Sequence, residues 1–151
     1  MAEVLMKRMF EVRGRDFDKA GETSTEVKTL LKDLGIDPGI VRRAGVVTFE
    51  AEMNVVMYAE KAQVTFILTD KDIAIEVKDQ GPGIPDIELA MQEGYSTATD
   101  EMREMGFGFG MGLPNIKKNS DHFTLESELG KGTRLYSVIR LDLDASPDTR
   151  V

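Results

Sequence analysis

Apolar residues return every three or four positions from about residue 24 to 58, and nearly every second position from about 62 to 79 and again from about 122 to 143. The change of period divides the chain into a helical stretch and a sheet-forming stretch. Before both, "VLMKRMFEV" at residues 4–12 alternates imperfectly and predicts a first strand, and "RGRDFDKAG" reads as a connection with some helical character. Val27, Leu30, Leu31 and Leu34 then fall at helical spacing, with Gly35 as the stop. Asp37 as N-cap and Pro38 at the first helical position open a long helix. Its stripe of Ile40, Ala44, Val47, Ala51, Val55 and Tyr58 faces the core.

The runs "AQVTFILTD" and "DIAIEVKD" predict a hairpin turning at Thr69–Asp72. "PDIELAMQEG" predicts a short helix, with Pro85 near its start and Gly94 past its end. Residues 94–111 carry no period, and "GLPNIKKNS" resumes a helix. "DHFTLESE" and "TRLYSVIRLDL" form a second hairpin around "LGKG". The order predicts one α+β domain over 1–143, a two-layer α/β sandwich with helices on one face of a mixed sheet. Residues 144–151 read as a frayed tail.

Composition narrows the function. With 27 acidic and 19 basic residues the net charge is −8, which argues against a nucleic-acid footprint. There is no cysteine, so disulfides and cysteine metal sites are excluded and a reducing compartment fits. The opening "MAEVLMKRMF" lacks the apolar core of a secretory leader, and no apolar run approaches the ~20 residues that span a bilayer. These features predict a cytoplasmic protein with no membrane partner.

Two glycine-dense stretches carry the chemistry. In "DQGPGI", Asp79 ends a strand and can accept a hydrogen bond from an exocyclic amine, while Gly81 and Gly83 let backbone approach a flat ring. In "GFGFGMGLPNIKK", Gly106, Gly108, Gly110 and Gly112 precede a helix, a junction suited to phosphates. Adenine at one cluster and phosphates at the other account for both. Neither matches a Walker loop, which needs G-K-[ST], nor a dinucleotide fingerprint, which needs a strand directly before it. On the long helix, Glu50 and Asn54 are one turn apart and share a face. Either alone reads as a solvated edge residue. Together they are a pair able to hold Mg²⁺ and position a nucleophile. Glu52, about 160° from Glu50 around the helix, is the one nearby alternative base. His122 reads as structural, Lys117 and Lys118 as a solvated face, and Met102, Met105 and Met111 as gap-fillers.

In this order, E-x-x-x-N at Glu50–Asn54, D-x-G-x-G at Asp79–Gly83, G-x-G-x-G-x-G at Gly106–Gly112 and "GKGT" at Gly130–Thr133 resemble the ATP-binding domain of gyrase, HSP90, histidine kinases and MutL, the GHKL or Bergerat fold. "DQGPGIPDIELAMQEGYST" and "GFGMGLPNIKK" are similar to the small serine kinases of the anti-sigma and stressosome-switch type. The likeness covers roughly residues 5–142. It implies that Asp79 binds the adenine amine with Gly81, Gly83 and, through a water, Thr133. It implies Asn54 as ligand to Mg²⁺, Glu50 as general base towards a partner serine, and Gly106, Gly108, Gly110, Gly112 and Leu113 around the phosphates of ATP. Residues 93–107 would form a lid, mobile without nucleotide. Implied partners are a small STAS-type anti-sigma antagonist, a sigma factor and a second copy bound through the N-terminal strand and helix. The lid stretch "ATDEMREMGFGFG" is longer than in some relatives, and Phe49 stands where many have Ser. Two function classes follow: a protein serine/threonine kinase, or an ATP-gated switch that sequesters a partner.

Overall fold

In the computed structural model, which describes residues 2–100 and 111–141, the period-two runs after residue 60 pair as a hairpin. β2 (Lys61–Thr69) and β3 (Asp72–Gln80) run antiparallel from Lys61 opposite Gln80 to Leu68 opposite Ile73. The Thr69 hydroxyl accepts from the N–H groups of Lys71 and Asp72 at 3.1 and 3.0 Å, which closes the turn. Strand alternation sends Val64, Phe66, Ile73, Ile75 and Val77 into one buried layer. β1 (Val4–Arg13) lies outside β2, with a register shift between Val4 and Met6 that explains its broken alternation. β4 (His122–Glu128) and β5 (Gly132–Arg140) form the second hairpin, and the sheet order is β1-β2-β3-β5-β4.

The sandwich is the one expected, with one correction: among the described residues all four pairings are antiparallel, so the sheet they form is not mixed. Two helices lie between β1 and β2, so the chain comes back to the end of the sheet it left. β3 and β4 do run the same way, but β5 lies between them.

Among the described residues the helices are α1 (Glu22–Asp33), α2 (Pro38–Tyr58), α3 (Ile87–Ala90) and α4 (Gly112–Lys118). A single 3₁₀ turn at Phe17–Lys19 is the helical part of the first connection. Asp37 caps α2, its carboxylate accepting from Gly39 N–H at 3.0 Å and Ile40 N–H at 3.3 Å. Val27 and Leu31 of α1, the α2 stripe from Ile40 to Val55 and Ile116 of α4 join the inner face of the sheet in one core, whereas Tyr58, expected on the same stripe, packs beside Met53 and Met57 and lines a cavity. α2 is the central element, buried towards both its helical neighbours and the strands. The predicted helix after Pro85 shrinks to one turn, because Asp86 caps it through Leu89 N–H and the chain leaves helical geometry after Met91.

The two ends of the sheet differ. At one, Glu3 N–H donates to Asp70 Oδ1 at 3.1 Å and Leu141 N–H to the Lys71 carbonyl at 2.9 Å. Glu3 and Leu141 therefore both lie beside the β2–β3 turn. At the other, Gly14 N–H bonds the Glu60 carbonyl at 2.8 Å, and Glu60 N–H the Gln80 carbonyl at 2.7 Å. Asp79 and both glycines of its motif lie at this second end. Among the described residues, no helix is long and apolar enough to cross a membrane. The tail at 144–151 lies outside them.

Candidate functional site

Asp79 stands one residue before the end of β3, and Thr133 opens the facing edge of β5. Asp79 Oδ1 accepts from Thr133 N–H at 3.0 Å. Burial pushes the Asp79 carboxyl above its ordinary range, and the Thr133 hydrogen bond pulls it part of the way back. The Thr133 hydroxyl is 3.0 Å from Ser127 Oγ, which in turn accepts from Ile84 N–H at 2.7 Å and donates to the Gly132 carbonyl. Ser127 thus ties the loop after Asp79 to the β4–β5 turn. It carries no sequence signal beyond a polar position in an alternating strand.

The glycines here have a reason internal to the protein. Gly83 adopts φ +79°, and a Cβ on it would stand 2.6 Å from the Glu128 carbonyl oxygen. Gly132, at φ +147°, would place a Cβ 2.1 Å from the Asp79 carbonyl oxygen. Backbone presses on backbone at both positions, before any flat ring is considered. Gly81 lies against Ala59, behind the cavity that Asp79 and Gly83 line.

That cavity holds about 580 Å³ between the loop after β3 and the last turns of α2. Glu50, Asn54, Asp79, Gly83, Gly112, Leu113 and Thr133 all line it. Helical spacing brings Glu50 and Asn54 to the same wall, as expected. α4 begins against them: a Cβ on Gly112 would be 3.3 Å from Asn54 Oδ1 and 3.6 Å from Glu50 Oε1. Glu50 Oε2 accepts from Asn115 Nδ2 at 2.9 Å, a partner the motif reading missed because one Asn in a polar helix looks solvated. Leu113 packs on the core beneath. Gly106, Gly108 and Gly110 lie outside the described residues.

Glu52 is not an alternative base. It is 2% exposed and turned away from the cavity, its carboxylate oxygens accepting from Thr23 and Ser24 N–H at 3.3 Å each. α1 has Gly21 as its N-cap and no capping side chain of its own, so a carboxylate from α2 fills that role. Burial raises the Glu52 carboxyl, against the lowering effect of these N–H groups.

The first part of the expected lid is packed. Ala98 is buried against Met53 and Met57, and the Tyr58 hydroxyl is 3.3 Å from Ser96 Oγ. Tyr95 and Phe49 are exposed at the cavity's mouth, at 41% and 40%. Met111 lines the cavity, and Met102 and Met105 are outside the described residues, as is the lid from 101 to 107. Lys118 is exposed and pairs with Glu93 at 2.6 Å, Lys117 is exposed, and His122 is exposed at the start of β4.

The acceptor at the end of β3, the Glu–Asn wall of α2 and the glycine start of α4 share one cavity, and the comparison with known families agrees. Residues 39–145 match the family described as histidine kinase-, DNA gyrase B-, and HSP90-like ATPase. The chain belongs to this family. It is 35% identical over 117 residues to the serine/threonine-protein kinase RsbT of Bacillus subtilis (strain 168), covering 74% of this chain and 80% of that one. It is 35% identical over 105 residues to the anti-sigma F factor of Caldanaerobacter subterraneus subsp. tengcongensis, covering 65% and 70%. Against the anti-sigma F factor of Geobacillus stearothermophilus the figures are 29% over 119 residues, 79% and 70%.

Proposed function

We propose that this protein is a Mg·ATP-dependent serine/threonine protein kinase acting in the cytoplasm on a small STAS-type partner. The observation that carries the reading is the division of one cavity, with Asp79 at one end and Glu50 and Asn54 at the other. Its volume of about 580 Å³ suits an adenine nucleotide. Asp79 accepts from the adenine amine, with Thr133 beside it. Asn54 offers an amide oxygen to Mg²⁺. Among the described residues no cluster of three or more His, Cys, Asp or Glu side chains could hold a metal. When bound, the metal neutralises charge on the phosphates.

Glu50 takes the proton of the partner's serine hydroxyl as that oxygen bonds to the γ-phosphorus and the bond to the bridging oxygen breaks, releasing ADP. The glycines from Gly106 to Gly112, with Leu113, surround the phosphates, and residues 93–107 cover them. A second copy binds through β1 and α1.

A second reading, partner sequestration with little transfer, is favoured by the anti-sigma F factor relatives and would add a sigma factor as partner. One experiment separates them. The protein is incubated with γ-labelled ATP, Mg²⁺ and STAS-type proteins encoded near it, and label is followed to serine. Transfer supports the kinase; stable complex formation without transfer supports the second reading.

A further inference from the structure

We propose that Asn115 is a positioning residue for phosphoryl transfer, fixing the Glu50 carboxylate and joining it to the helix that starts at the phosphate end of the cavity. The inference rests on the reading of Glu50 as general base. An ionised carboxylate can only accept, so the Asn115 amide must present its NH₂ group, and it does so at 2.9 Å from Oε2. Asn115 is held from both sides along α4. Its N–H donates to the Met111 carbonyl at 2.9 Å, and its carbonyl accepts from Asn119 Nδ2 at 2.9 Å. Its neighbours Pro114 and Ile116 are buried. The amide therefore has little freedom, and passes that restriction to Glu50.

The two carboxylate oxygens of Glu50 consequently have different surroundings. Oε2 is taken by Asn115, whereas Oε1 is the oxygen nearer Gly112 and Asn54's wall of the cavity. A base must present one oxygen to one hydroxyl within hydrogen-bond reach, so a partner on the other oxygen sets the angle of approach. Asn115 itself is not among the residues that line the cavity. Its influence on the reaction must pass through Glu50, and nucleotide contacts should not register its loss.

The test uses the STAS-type protein that accepts label in the transfer experiment, with four variants: Asn115→Leu, Asn115→Asp, Glu50→Gln and the double variant Asn115→Leu/Glu50→Gln. Asn115→Leu should lower kcat about tenfold to a hundredfold, the usual penalty for a misplaced reacting group. KM for ATP and Kd for ADP should stay within about twofold of wild type. Asn115→Asp, which sets a second carboxylate against Glu50, should lower kcat at least as far. In the Glu50→Gln background, Asn115→Leu should add nothing further. If Glu50→Gln slows transfer while both Asn115 variants run at the wild-type rate, the positioning role is overturned and the base stands. If Glu50→Gln transfers normally, the base reading itself fails. Equal losses in kcat and ADP affinity, or additive losses in the double variant, would reduce Asn115 to a structural residue. Should Asn115→Leu not fold, Asn115→Asp decides by the same two readouts.

Discussion

The two ends of the cavity are built on different principles. At the Asp79 end, a backbone N–H fixes the carboxylate, one serine hydroxyl staples two loops, and glycines allow main chain to touch main chain. At the Glu50 end, the geometry depends on how two helices meet, and a side-chain bond from Asn115 crosses between them. Preformed backbone scaffolding suits recognition of a rigid base. A helix–helix junction suits the proton transfer proposed for Glu50, since a small shift of α4 against α2 would carry the Glu50 carboxylate with it.

Substitution should separate the ends cleanly. Glu50→Gln keeps shape but removes the proton acceptor, so transfer to the partner serine should fall by about two to four orders of magnitude while ADP binding by calorimetry is kept. Transfer at the wild-type rate would mean the α2 end does no proton chemistry. Asp79→Asn should show the reverse pattern. The loss of a charge-assisted hydrogen bond is about 1.5–3 kcal/mol, so nucleotide affinity should drop roughly tenfold to a hundredfold. At saturating ATP its transfer rate should lie close to wild type.

Gly132→Ala tests whether the Asp79 end is held by its backbone. A Cβ there meets the Asp79 carbonyl, so unfolding in urea should show a loss of about 1–3 kcal/mol, with weaker nucleotide binding as a consequence. An unchanged midpoint would show that the turn relaxes freely.

The smallest effect concerns pH. Glu52 has a folded-state carboxyl raised above its ordinary 4.5, so the folded chain holds more proton than the unfolded one in the window just above that value. Its contribution is therefore present at low pH and lost as pH rises through the raised value. The stability of wild type relative to Glu52→Gln should decline across that window in urea titrations. A difference independent of pH would place Glu52 in contact with water.

Much of this arrangement was legible in the sequence. The Asp37–Pro38 start of α2 and the β2–β3 hairpin have strong local signals, and the E-x-x-x-N spacing places its pair by helical geometry alone. Asp79 was legible from its position at a strand end before glycines. What escaped was long-range. Glu52 caps a helix 28 and 29 residues earlier in the chain, and Asn115 reaches Glu50 across 65 residues. Ser127 joins a loop 43 residues away. Each is a lone polar residue in a regular element, and local pattern gives it no partner. The expectation of a mixed sheet fails for a related reason, since strand neighbours depend on where β5 inserts and not on the order of elements.

The shared location of Glu3 and Leu141 beside the β2–β3 turn bears on how the chain can be rewired. Neighbouring entry and exit points are what circular permutation needs. A short link from one to the other would close the fold on the side away from the cavity, and new ends can open at the α1–α2 turn. Gly35 there, at φ +75°, has open space around it, and Leu34 is 50% exposed. Reporter domains fused at that turn would sit on the helical layer, and the closing link would offer a point for tethering the protein to a surface with its cavity facing outward.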